Sequence, residues 1–240
     1  MTESNNNGKT KIRLILFDFD GTLVNTTPLI LRSFHATWLR VFGFTLTDED
    51  YVRTFGMMIL NAFKDLMVQS MGMGLLEKPE NLNDYLERKS VAMLPVYREF
   101  NLGWHDEMIE PFPEIDLVLK ELKAREYRLG VVSSKMRSGV QRGMNIFGMN
   151  EMFDIIIGAE DVANHKPHPE PLIKAMEMLD GAPCETIYIG DSTHDITAGR
   201  AAGMLVAAVA WGPFPRKDLE DLQPDYLLDA PLQLLEIINN

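Results

Sequence analysis

Two aspartates, Asp18 and Asp20, stand two positions apart at the end of the apolar run Ile12–Phe17, and Gly21 and Thr22 follow them. Three later stretches repeat the pattern of polar residues placed directly after an apolar run. They are "GVVSSKMR" (130–137), "DVANHKPHPEP" (161–171) and "IGDSTHDITAG" (189–199), and they carry Ser133, Lys166 and Asp191. Asp, Ser and Gly are ordinary turn formers, so any one stretch alone reads as a strand end. Together they offer a specific chemistry. Several carboxylates in one place need a hard cation, and carboxylate-plus-carbonyl ligation suits Mg²⁺. Lys166 adds a compact positive charge beside them. Backbone amides after Asp18, the Ser133 hydroxyl, the lysine and a divalent ion would together receive a dianionic phosphoryl group.

Such a site exists only if the chain brings the four stretches together. Five short β-branched or aliphatic runs read as strands: Ile12–Phe17, Arg128–Ser133, Asp154–Gly158, Thr186–Gly190 and Leu205–Val209, with a weaker sixth at Asp225–Leu228. The strong ones are near-continuously apolar, as parallel strands covered on both faces are. From Pro113 onward they alternate with helical patterns such as 113–126 and 169–181, which predicts an α/β doubly wound parallel sheet. In an open parallel sheet the ligand crevice lies beyond the carboxyl ends of the strands, where all four stretches fall. Positions i and i+2 of a strand share a side, so Asp18 and Asp20 can both face that crevice.

The segment 27–109 breaks the rhythm. Its amphipathic patterns at 28–43 and 81–94 predict helices, and no run within it reads as a strand. A loop of that length is implausible inside a compact domain, so it is expected to form an inserted helical unit between the halves of the core, 10–26 and 110–240. Gly103 and "EPFPE" (110–114) read as the hinge on its far side.

Composition narrows the function classes. A net charge of −12 argues against a nucleic-acid partner, which usually meets a basic stripe, but not against small phosphorylated substrates. The single cysteine, Cys184, cannot form an internal disulfide, which fits a cytoplasmic protein. The polar start MTESNNNGKTK holds no signal-peptide core and reads as frayed. The longest apolar run, near Met204–Trp211, is too short to span a bilayer, so no membrane partner is expected.

"DFDGT", "VVSSK", "HKPHPEP" and "GDSTHD", in this order and each at a strand end, resemble the four signature stretches of the haloacid dehalogenase (HAD) superfamily of phosphatases. Within it the chain is most similar to PpaX-type pyrophosphatases, with phosphoglycolate phosphatases close behind, on stretches that include 23–34, 97–101, 105–107 and 209–226. It departs from them at "TFGMMIL" (54–60), where relatives tend to carry a glycine–proline turn. The resemblance implies a Rossmann-like core with a mobile helical cap. It implies Asp18 as the nucleophile that becomes an aspartyl phosphate, Asp20 as general acid/base, Ser133 as the phosphate-binding hydroxyl and Lys166 as the charge-balancing lysine. It implies a Mg²⁺ site drawn from Asp18, Asp20 and Asp191, with Asp195 as an outer or water-mediated ligand. Phe19, through its backbone, Ser134 and Arg53 are candidate substrate contacts.

Other readings stand beside these. Asp195 could serve only to cap a helix. His165, His168 and His194 lack the ligand spacing of a zinc site. The 15 methionines read as core and cap filler, and Trp211 as a packing residue. His35 and His105 join Arg53 as possible contacts from the helical insert. The expected activity is hydrolysis of pyrophosphate or a small phosphate monoester by a monomer or homodimer. A phosphomutase of the same superfamily would use the same nucleophile, and a signalling module would only accept phosphate on Asp18. Asp20 argues against the last, because a phosphate store should lack a group that activates water.

Overall fold

The computed structural model describes residues 11–238, so the polar start of the chain lies almost wholly outside the described residues. Six parallel strands form one sheet in the order β5-β4-β1-β6-β7-β8. They are β1 (Leu14–Phe17), β4 (Arg128–Val132), β5 (Ile155–Ile157), β6 (Thr186–Gly190), β7 (Leu205–Val209) and β8 (Tyr226–Leu228). All six expected strands are present, and the fold is the α/β, Rossmann-like one. β1 is central, with Phe17 in register with Val131 on one side and Ile189 on the other.

Both faces of β1 are covered, which explains its unbroken apolar sequence. Ile15 and Phe17 pack toward α5 (Ile115–Ala124), α6 (Arg137–Phe147) and α10 (Gln233–Ile238). Leu14 and Leu16 pack toward α7 (Glu170–Met178) and α8 (Thr193–Ala201). Complete burial of each such side chain contributes roughly 1.5–3 kcal/mol. The short α9 (Arg216–Asp221) places Leu219 against Val206 and Ala208.

Between β1 and β4 the chain forms α1 (Thr27–Phe42), α2 (Asp48–Val52), α3 (Ile59–Gly72) and α4 (Leu82–Met108). An aromatic cluster joins them: the Phe34 ring stacks on Tyr51 at 5.1 Å and meets Phe63 edge-on at 6.0 Å, and Tyr97 lies 5.4 Å from Phe34. One feature here differs from the sequence reading. Gly103 is no hinge, because α4 runs through it to Met108. Its flanking residues are held against α1, where Arg32 lies over the Trp104 ring at 4.2 Å and Arg40 over Phe100 at 4.3 Å. That packing overrides the weak helix propensity of one glycine. The crossing between sheet and helices falls at "EPFPE" itself, where β3 (Glu110–Pro111) pairs with β2 (Val24–Asn25) in a two-residue antiparallel ribbon. Two residues per strand are too few to show a periodicity.

Candidate active site

β1 and β6 are neighbours whose crossovers diverge, so the crevice opens between their carboxyl ends. Asp18 continues β1 and donates its backbone N–H to Ile189 O at 2.8 Å. Asp191 follows β6, and Thr22 donates its hydroxyl to Asp191 Oδ1 at 3.2 Å. Two glycines make room for that carboxylate. A Cβ on Gly21 would lie 2.3 Å from Asp191 Oδ2, and one on Gly212 would lie 2.4 Å from Asp191 Cβ. Gly21 also has φ +79°, a backbone that L side chains rarely adopt. The Gly21–Thr22 turn is therefore built around Asp191. The Trp211 indole pins it by donating to Thr22 O at 3.0 Å, so Trp211 is more than filler.

Lys166 stands at the centre of this crevice, fully buried with Asp18, Asp191, Asp195 and Ser133. Its Nζ lies 2.6 Å from Asp195 Oδ1, 3.1 Å from Asp18 Oδ1 and 2.9 Å from the Tyr188 hydroxyl. Asp195 has no free oxygen. Oδ1 also accepts from Tyr188 at 2.9 Å, and Oδ2 accepts from Ser192 N at 3.0 Å and Ser192 Oγ at 2.6 Å. Both readings of Asp195 thus meet in one residue, since it completes the capping box of α8 and anchors Lys166.

The charges do not balance. Oxygens of Asp18, Asp191 and Asp195 can lie within 4.8 Å of one another, and one ammonium serves all three acids. Burial raises Asp18 to about 7; Lys166 opposes the rise, and Asp195 and Asp20 add to it. Burial, then Asp195 and Asp18, push Asp191 well above the usual carboxylate range. Burial alone would raise Asp195 too, but Lys166 and the hydrogen bonds hold it below. Burial works against the charge on Lys166, yet Asp18 and Asp195 outweigh it and keep the ammonium protonated. Asp18 Oδ1 is buried without a hydrogen-bond partner, its contact to Lys166 being electrostatic rather than aligned. Among the three acids the unsatisfied buried oxygen is thus Asp18 Oδ1, and hard carboxylate oxygens fit a hard dication.

The remaining sequence candidates separate. Ser133 directly follows β4, the neighbour of β1, and its hydroxyl accepts from Lys135 N at 3.2 Å. Phe19 is buried in the core. The Asp20 carboxylate leaves the acid cluster and pairs with Lys135, Nζ to Oδ1 at 2.9 Å. Ser134 donates to Gly56 O of the helical segment at 2.6 Å. Arg53 is not brought into the crevice: its exposed guanidinium pairs with Glu49 at 2.6 Å, one helical turn earlier. His35 bonds Thr45 and Asp48, and His105 bonds Asp106, so neither ring contacts the acids. His165, His168 and His194 form no metal-ligand cluster among the described residues. A cleft of about 590 Å³ is lined by Met57, Met58, Asn61, His165, Lys166 and His194.

The comparisons with known proteins agree with this geometry. The family model for haloacid dehalogenase-like hydrolases matches residues 15–209. The chain belongs to that family. It is therefore a hydrolase. The chain is 36% identical to pyrophosphatase PpaX of Bacillus cereus (strain B4264) over 230 residues, 96% of this chain and 98% of the relative. Among solved structures it is similar to a haloacid dehalogenase-like hydrolase of Bacteroides fragilis, with TM-score 0.80, 30% identity and coverage of 93% of this chain and 100% of the other. A predicted phosphoglycolate phosphatase of Haemophilus somnus aligns with TM-score 0.76 and 27% identity, covering 96% of this chain and 99% of the other. These relatives make it a phosphatase of the family.

Proposed function

We propose that the protein hydrolyses inorganic pyrophosphate through a phosphoryl-Asp18 intermediate with Mg²⁺ as cofactor. The observation that carries the chemistry is the buried Asp18–Asp191–Asp195 cluster with Lys166 at its centre. The substrate is taken from the full-length similarity to the PpaX pyrophosphatases. In this reading an Asp18 oxygen attacks the phosphorus, and the bond to the bridging oxygen breaks with its electron pair going to the leaving phosphate. Asp20 gives that oxygen a proton. Water then attacks the phosphoryl group, the bond to Asp18 breaks, and Asp20 takes the proton from the water. Ser133 and Lys166 bind phosphoryl oxygens. Asp18 and Asp191 would hold the cation, which when bound offsets the negative charge on the transferring group.

Helices α1–α4 serve as a cap that opens to admit substrate and closes to exclude bulk water, moving on the β2–β3 ribbon. A cytoplasmic setting accords with a lone, exposed and unpaired Cys184. Among the described residues no helix is long and apolar enough to cross a membrane. The test is a turnover screen with Mg²⁺ against pyrophosphate, phosphoglycolate, sugar phosphates and nucleotides. Pyrophosphate should give the highest kcat/KM; no turnover of pyrophosphate with brisk hydrolysis of phosphoglycolate would replace the substrate and leave the chemistry standing.

A further inference from the structure

Lys135 has no part in the roles above, yet its side chain is held with care. Its Nζ lies 2.9 Å from Asp20 Oδ1 and 5.7 Å from the centroid of the Phe19 ring. The alkyl stem runs over Gly139, where a Cβ would come within 3.1 Å of Lys135 Cε. One turn along the same face of α6, a Cβ on Gly143 would lie 2.7 Å from the Phe19 ring. Two glycines four residues apart thus clear a slot for the lysine stem and the ring. Along α4, Tyr97, Asn101 and His105 follow one another at four-residue spacing. Asn101 donates to the Tyr97 hydroxyl at 3.3 Å. Burial raises the Tyr97 hydroxyl above its ordinary value with the Asp20 charge adding to it, and burial lowers His105 against the hydrogen bond to Asp106, with the Lys135 charge acting in the same direction as burial.

We propose that Lys135 determines specificity by binding a negative charge on the departing half of the substrate, in a leaving-group subsite centred on its ammonium. The inference rests on the reading of Asp20 as the group that protonates the leaving oxygen. A proton donor must stand about 3 Å from that oxygen. Lys135 Nζ is 2.9 Å from Asp20, so it lies within roughly 6 Å of the same oxygen, where the second phosphoryl group of pyrophosphate extends. The ammonium carries three N–H donors, and one is spent on Asp20, which leaves donors for the oxygens of an anion. Lys166 does not serve in its place, because it stands at the Asp18 carboxylate, on the side of the transferring phosphoryl group. A neutral alcohol leaving group offers Lys135 nothing; a phosphate or a carboxylate does.

The test compares wild type, K135Q and K135R on pyrophosphate and on phenyl phosphate, whose phenol carries no second anion. In K135Q, whatever loss the disturbed Asp20 causes is shared by both substrates, and kcat/KM for pyrophosphate should fall about tenfold further than that for phenyl phosphate, chiefly through KM; K135R should recover most of that difference. Equal loss on both substrates, or an unchanged pyrophosphate KM, overturns the inference. Titration of pyrophosphate with Mg²⁺ into D18N and D18N/K135Q reads the same contact without turnover. There the second variant should bind about tenfold more weakly, and equal or absent binding in both overturns the inference. Should wild type hydrolyse neither compound, the proposed function fails separately and the titration alone decides on Lys135.

Discussion

Ser134 donates its hydroxyl to the carbonyl of Gly56 at 2.6 Å, tying the loop after β4 to the turn between α2 and α3. The turn approaches the crevice closely: a Cβ on Gly56 would lie 2.9 Å from Ser192 Oγ, and φ there is +80°. "RTFGMMIL" (53–60) thus does reach toward the acids, through its glycine rather than its arginine. One such bond is worth about 1 kcal/mol net, which corresponds to roughly fivefold in an equilibrium. Ser134→Ala should therefore raise KM about threefold to tenfold and leave kcat unchanged or higher. Steady-state kinetics would show it, and a lowered kcat at constant KM would instead mark Ser134 as part of the chemistry.

Arg53→Ala should do little. An exposed pair one helical turn apart contributes about 0.3–0.5 kcal/mol, so kcat/KM should stay within about twofold of wild type. A tenfold loss on pyrophosphate alone would mean that the guanidinium swings into the crevice when substrate binds.

Asp195→Asn keeps the shape of the side chain and removes its charge from Lys166, Tyr188 and Ser192. Breaking a buried ion pair by removing one partner costs about 3–5 kcal/mol. Chemical denaturation should show a loss of that order, together with a steep drop in kcat. Retained stability with normal turnover would show that Lys166 does not depend on Asp195.

The acid cluster makes stability depend on pH when no metal is present. Asp18 titrates near 7 in the folded chain and near 3.8 when unfolded. The folded state thus holds this proton more tightly, and the stability it gives is complete below about pH 4 and is lost as pH rises through 7. Asp191 is displaced in the same direction. In EDTA the wild-type Tm should therefore fall between pH 5 and pH 8 more steeply than that of Asp18→Asn, and Mg²⁺ should raise it most at pH 8. Parallel curves for the two proteins would contradict the charge imbalance.

Sequence made the strands and their polar ends legible because each is local: an unbroken apolar run, then a turn with Asp, Ser or Lys. The crevice followed from the rule that parallel sheets bind at their carboxyl edge. Contacts between distant segments left no such trace. Tyr188 sits in the apolar pattern of β6 as any core aromatic would, yet its hydroxyl bridges Lys166 and Asp195. Nothing along the chain singles out Lys135 until Asp20, 115 residues earlier, stands beside it. Arg53 misled in the opposite way, since a lone cation in a candidate loop invites a role that a neighbouring Glu49 already fills. Gly103 misled because packing from α1 is invisible along α4.

The most direct test of the central claim is to quench Asp20→Asn during turnover of an activated aryl phosphate and locate the phosphoryl group by peptide mass spectrometry. Loss of the acid/base should still let the intermediate form with a good leaving group and slow its hydrolysis, so one phosphoryl group should accumulate on Asp18. A phosphoryl group on Asp20 or on a histidine, or wild-type hydrolysis by Asp18→Asn, would contradict it.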